Sequence, residues 1–257
     1  MAPTVVCVRH AQGYHNLGPE FHGLPDPKLT ELGEQQCATL RDSNLIDQTA
    51  ISLVTTSPLT RTVATAYLSF IPAFANGKCK PAIIALPDAQ ETSDFPCDTG
   101  SDVEVLRQRC EEEKWPVDLS RLRDDWNIKT LNSRYSPAGD AIKVRANAAR
   151  QQIRELLKEL VDAGDTDAQI VLVTHGGYLH YFTDDWEDSN KYYGTGWLNT
   201  EARAYDTDDE AALHETLESR AKRGKDTPRM SKDTQEALFH AGHQAWDEQG
   251  LVNSLKI

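Results

Sequence analysis

Four short apolar runs, rich in β-branched residues, constrain this chain more than any other feature. They are Thr4-Val5-Val6-Cys7-Val8, Ile51-Ser52-Leu53-Val54-Thr55, Ala82-Ile83-Ile84-Ala85-Leu86 and Gln169-Ile170-Val171-Leu172-Val173-Thr174. Hydrophobicity that runs on without alternating marks strands buried on both faces, the habit of parallel sheets. Helical patterns lie between them. Thr30 is placed to cap a helix over 31–43, and Pro58 suits the first turn of a helix carrying Arg61, Ala64 and Leu68. From 139 to 163, Ile142, Ala146, Ala149, Ile153, Leu156, Leu157 and Leu160 recur at three and four residues and share one face, as in a helix packed on a sheet. The alternation predicts an α/β fold: a doubly wound, mostly parallel sheet flanked by helices, with right-handed crossovers.

Two regions depart from this rhythm. Residues 87–138 hold several prolines and two tryptophans but no clear strand, and are expected to form a small cap insertion within a single domain spanning 1–257. Residues 207–257 read as a charged C-terminal extension. Its first part, to 232, is expected to be solvated, and a last amphipathic helix falls near 231–248 with Leu238, Ala241, Ala245 and Trp246 on one side. No internal repeat is present.

Charge narrows the function. Lys and Arg number 27 against 40 Asp and Glu, a formal net charge of −13. That balance argues against nucleic acid or an anionic membrane as partner, while leaving room for an anionic small molecule in a locally positive pocket. No apolar stretch is long enough to span a bilayer, and the start, Met1-Ala2-Pro3-Thr4, lacks a secretory pattern. Five cysteines without metal-type spacing read as reduced thiols of a cytoplasmic protein, with Cys7 a small core residue. No cofactor or metal is expected: His180, His214, His240 and His243 form no constellation with acids or cysteines. Oligomeric state is not written in the sequence.

The strand ends carry the chemistry. In open α/β sheets, ligands bind beyond the carboxyl ends of the strands. The first strand ends in Arg9-His10-Ala11, with Asn16 shortly after, and the fourth in His175-Gly176-Gly177. The second leads through Thr56-Ser57-Pro58-Leu59-Thr60 to Arg61, and the third to Glu91 and Asp98. Two arginines and two histidines at one edge make a compact cationic pocket, and guanidinium groups grip phosphate oxygens in pairs. Backbone N–H groups at Gly176 or Gly177, opening a helix, are positioned to add to it. His15 and His22 follow the first strand and are candidates for the entrance, His22 more readily as a surface residue.

In this ordered set the chain resembles the histidine phosphatase superfamily, in the branch related to phosphoglycerate mutase. The matching residues are Arg9-His10-Ala11 with Asn16, Leu29-Thr30-Glu31-Leu32-Gly33 with Gln36, Thr56-Ser57-Pro58-Leu59-Thr60-Arg61-Thr62, Glu91 and Thr174-His175-Gly176-Gly177. The stretch from Trp197 to Tyr205 is similar to the family's late edge strand. The resemblance implies roles. His10 attacks phosphorus and carries a phosphohistidine; His175, with Arg9, Arg61, Asn16 and Gly176, holds the phosphoryl oxygens; Glu91 protonates the leaving oxygen and then activates water. Asp98 is the alternative acid. The expected function is hydrolysis of a small phosphorylated metabolite. Other readings are a phosphoglycerate-type mutase, a ligand-binding member without catalysis, and a member recruited to another reaction on an acidic small molecule.

Overall fold

The computed structural model describes residues 3–191 and 194–251. Its centre is a mixed sheet of seven strands. In chain order these are β1 (Thr4–Arg9), β2 (Ile51–Thr56), β3 (Ile83–Ala85), β4 (Val117–Asp118), β5 (Gln169–Thr174), β6 (Ala202–Thr207) and β7 (Leu213–Glu215). Across the sheet they run β4-β3-β2-β5-β1-β6-β7. The first five pair in parallel, and β6 and β7 are antiparallel additions beside β1.

The continuous apolar runs do what the physics requires of them. Val5 and Cys7 of β1, with Ile170 and Leu172 of β5, face one core; Val6, Val8, Val171 and Val173 face the other. The second core is closed by α1 (Glu31–Asp42) and α2 (Thr60–Ala75). Thr30 caps α1 as expected, its side chain accepting from the Gly33 amide at 3.0 Å. Pro58 lies ahead of α2 rather than in its first turn, because the Asp26 carboxylate accepts from the Thr60 amide at 2.8 Å and starts the helix there.

Beyond β3 comes α3 (Val103–Glu112), and the first core is covered by α4 (Gly139–Asp162), α5 (Gly176–Thr183) and, at the far end, α7 (Lys232–Glu248), which follows the short α6 (Leu217–Lys222). The predicted face of α4 is buried, and so is Arg145 within it. Residues 87–138, expected to lack strands, contribute both α3 and β4. Their Leu106, Trp126 and Tyr135 form a small core together with Leu59 and Val63 from the start of α2.

Two expectations about the C-terminal third need correction. The stretch 197–205 is not an edge strand: its strand begins at Ala202, after a turn through Thr200 (φ 59), and β7 covers its outer side. Residues 206–232 are not simply solvated. Arg220 is 1% exposed and pairs with Glu187 at 2.9 Å, while Arg223 pairs with Glu215 at 2.6 Å. Charge density on its own does not separate a solvated face from a closed ion-pair network; complementary partners elsewhere in the chain decide it. All five cysteines are buried and free, Cys7 in the core. Among the described residues no helix is long and apolar enough to cross a membrane.

Candidate active site

The carboxyl ends of β1, β2 and β5 meet around His10, which is 1% exposed. Its Nδ1 lies 2.7 Å from the Ala11 carbonyl oxygen. A carbonyl only accepts, so Nδ1 carries the hydrogen and Nε2 the lone pair. Burial, then the charges of Arg61 and Arg9, hold the imidazole well below its ordinary pKa. The ring is therefore neutral at pH 7, with a nucleophilic nitrogen facing the Arg61 guanidinium, whose Nε is 3.3 Å away.

Arg61, at the start of α2, is fully buried behind His10. Its Nη2 reaches the Asp98 carboxylate at 2.8 Å and Nδ1 of His175 at 3.0 Å, and Nη1 donates to the Cys97 carbonyl. Since arginine only donates, Nδ1 of His175 accepts, and its Nε2–H is left to donate to Ser57 Oγ at 2.8 Å. The rings of His10 and His175 lie 5.2 Å apart. Asp98, in turn, accepts from Ser93 Oγ at 2.5 Å.

In front of His10 opens a cavity of about 270 Å³. Arg9, Asn16 and Glu91 line it, and so do His15 and His22, so the surface reading of His22 is corrected: its ring sits beside Phe95 at the mouth. Arg9 donates Nη1 to the Trp197 carbonyl, and its buried Nε has no partner. Asn16 uses its amide oxygen on the Gly13 N–H at 3.0 Å. Arg61 and His175 form the layer beneath.

Glu91 occupies a place not foreseen. Its carboxylate accepts from the amides of Tyr178 (2.9 Å) and Gly177 (3.3 Å), at the start of α5. The Gly177 amide, one of the two that the sequence offered to phosphate, is thus bonded to Glu91. Burial, and then the Asp98 charge, raise the Glu91 pKa despite these bonds. Gly176 lies under the side chain of Thr195, with which a Cβ there would collide.

Two buried cations that the sequence reading missed hold the segment carrying Glu91. Arg145 donates to the carbonyls of Asp88 (2.8 Å), Gln90 (2.5 Å) and Glu91 (2.9 Å). Lys129 donates to those of Glu91 (2.8 Å) and Ser93 (2.6 Å), and burial pushes its pKa down to about 7. Arg145 left a trace in the sequence, a charge on the apolar stripe of a helix; Lys129, in a loop, left none. The far wall of the cavity comes from the 194–199 loop and the C-terminal end. Gly194 donates to Gln249 at 2.6 Å, Asn199 donates to the His10 carbonyl at 2.9 Å, and Trp246 and Leu251 reach the lining.

A neutral histidine at a strand end is backed here by buried guanidinium and carboxyl groups in a doubly wound sheet. Residues 5–78 match the family described as the histidine phosphatase superfamily, branch 1. The chain is similar to sedoheptulose 1,7-bisphosphatase of Saccharomyces cerevisiae, 24% identical over 191 residues that cover 72% of this chain and 68% of that protein. The fold is also that of YhfR from Bacillus stearothermophilus (TM-score 0.51, 18% identity, 85% of this chain and 97% of the other). It is shared with the ecdysone phosphate phosphatase of Bombix mori in complex with tungstate (TM-score 0.51, 16% identity, 83% of this chain and 92% of the other).

Proposed function

We propose that this protein hydrolyses a phosphomonoester through a phosphohistidine on Nε2 of His10. The observation that carries the reading is the fixed tautomer of that ring: Nδ1–H is spent on Ala11, which leaves the lone pair on Nε2, where it accepts from Arg61 Nε at 3.3 Å. In the first step Nε2 bonds to phosphorus while the ester P–O bond breaks and Glu91 gives its proton to the leaving oxygen. In the second, water loses a proton to the Glu91 carboxylate and attacks phosphorus, and the N–P bond breaks. The unpartnered Nε of Arg9, the amide nitrogen of Asn16 and the Arg61 guanidinium would hold the phosphoryl oxygens, the last by leaving Asp98. His175 fixes Arg61 from below.

The raised pKa supports Glu91 as the proton carrier; the ion pair with Arg61 makes Asp98 a competitor of phosphate for that guanidinium instead. Phe95, Cys97 and Asp98 line the cavity, which supports residues 87–138 as its cap. The test is His10→Ala. Turnover should vanish with the fold intact, and quenched turnover of labelled substrate by the parent should trap an acid-labile, base-stable phosphoenzyme. Parent-like activity in the variant would rule the mechanism out. A coupled 3-phosphoglycerate mutase assay beside phosphate release should show release alone.

A further inference from the structure

We infer that the leaving group is an uncharged alcohol with an apolar or aromatic body, so that bisphosphates and phosphocarboxylates are poor substrates. This rests on the phosphatase reading and adds the substrate class to it. The argument is a count of charge. Among the described residues lining the cavity, Arg9 is the sole arginine or lysine, against the Asp98 carboxylate and Glu91, which holds its proton when the ester binds. Arg61 lies beneath the floor, and one phosphoryl dianion engages both guanidinium groups.

Among the described residues, no other arginine or lysine lines the cavity to meet a second anion. Lys129 is committed to the carbonyls of Glu91 and Ser93. Arg203 pairs with Glu201 and lies over the Trp197 ring at 3.6 Å. Burial and the Arg61 charge keep His15 neutral at pH 7. Four apolar side chains also line the cavity: Phe95, Leu198, Trp246 and Leu251. An anionic group reaching them would lose its water beside the Asp98 carboxylate, and gain no partner. At about 7 Å from one carboxylate and an effective dielectric of about 20, that repulsion weakens transition-state binding by roughly ten- to a hundredfold.

The experiment compares 4-carbamoylphenyl phosphate with 4-carboxyphenyl phosphate, esters of one shape that differ in charge, on the full chain. kcat/KM should favour the neutral ester by at least about tenfold. Within primary alkyl phosphates of similar leaving-group acidity, KM should fall by about tenfold or more from ethyl to octyl. Leu198→Arg, on a side chain 64% exposed, should bring the two aryl esters toward parity by supplying the missing cation. Equal rates on the parent, a preference for the carboxylate ester, a flat alkyl series or a ratio unmoved by Leu198→Arg would each overturn the inference while leaving a phosphatase. Absence of turnover with every ester, and of a trapped phosphoenzyme, would remove the phosphatase reading and the inference with it.

Discussion

Asp98→Asn tests the idea that phosphate and Asp98 compete for one guanidinium. The substitution keeps the shape of the side chain, but removes the charge that Arg61 faces at 2.8 Å, where the two side chains are 0% and 11% exposed. Breaking a buried pair from one side costs about 3–5 kcal/mol, because a charge is left uncompensated. Arg61 keeps its bonds to the Cys97 carbonyl and to His175, so the lower end applies, about 3 kcal/mol. For a chain of this size that lowers Tm by roughly 6–12 °C. The same loss should help a ligand: an oxyanion no longer has to displace a carboxylate, and orthovanadate should bind at least about tenfold more tightly, which is ~1.4 kcal/mol. The assay is thermal unfolding with and without orthovanadate. The parent should gain little from the anion and the variant much more. A variant that melts like the parent, or binds vanadate no better, would refute the competition. Loss of turnover on alkyl esters alone would assign Asp98, instead of Glu91, the acid's task.

Glu91→Gln should slow hydrolysis of alkyl phosphates about a hundredfold or more, and of aryl phosphates far less, since a good leaving group needs little protonation; equal losses measured by phosphate release would exclude Glu91 as the acid. Gly176→Ala should lower kcat/KM at least about tenfold and destabilise by about 1–3 kcal/mol through overpacking against Thr195, with Arg9 Nε only 3.2 Å from the new carbon; Thr195→Gly in the same chain should restore part of both. His243 sits in an aromatic cluster with Trp186, Phe239 and Trp246, and burial lowers its pKa from 6.5 to about 4. The folded state thus takes up the proton less readily than the unfolded one, so this stabilisation is present above pH 6.5 and is lost as pH falls toward 4. Tryptophan fluorescence should report loosening of α7 across that window, and His243→Phe should flatten the dependence.

The sheet was legible because burial on both faces leaves a mark in composition: Val5 to Val8 and Ile170 to Val173 have no polar face to hide. The positions of His10, Arg61 and His175 were legible because strand ends and helix starts fix where side chains are delivered. What the sequence did not disclose was pairing. That Glu91 caps α5, that Asp98 holds Arg61, that Arg220 is buried and that Arg223 is paired all depend on partners 8–87 residues distant, which no local pattern encodes. β4 was missed because two residues at a sheet edge carry too little periodicity to read. His22 was misjudged because a loop's exposure depends on what folds over it, here Phe95.

Arg145 and Lys129 bond the segment from Asp88 to Ser93 only through its carbonyl oxygens. Every residue type has a carbonyl, so these clamps are indifferent to which side chains the segment bears. The path of the backbone past the phosphate site and the identity of the groups displayed on it are thereby uncoupled. Side chains of the segment add their own ties, Asp88 to Arg134 and Gln152, and Glu91 to the start of α5, so main chain and side chains are anchored separately.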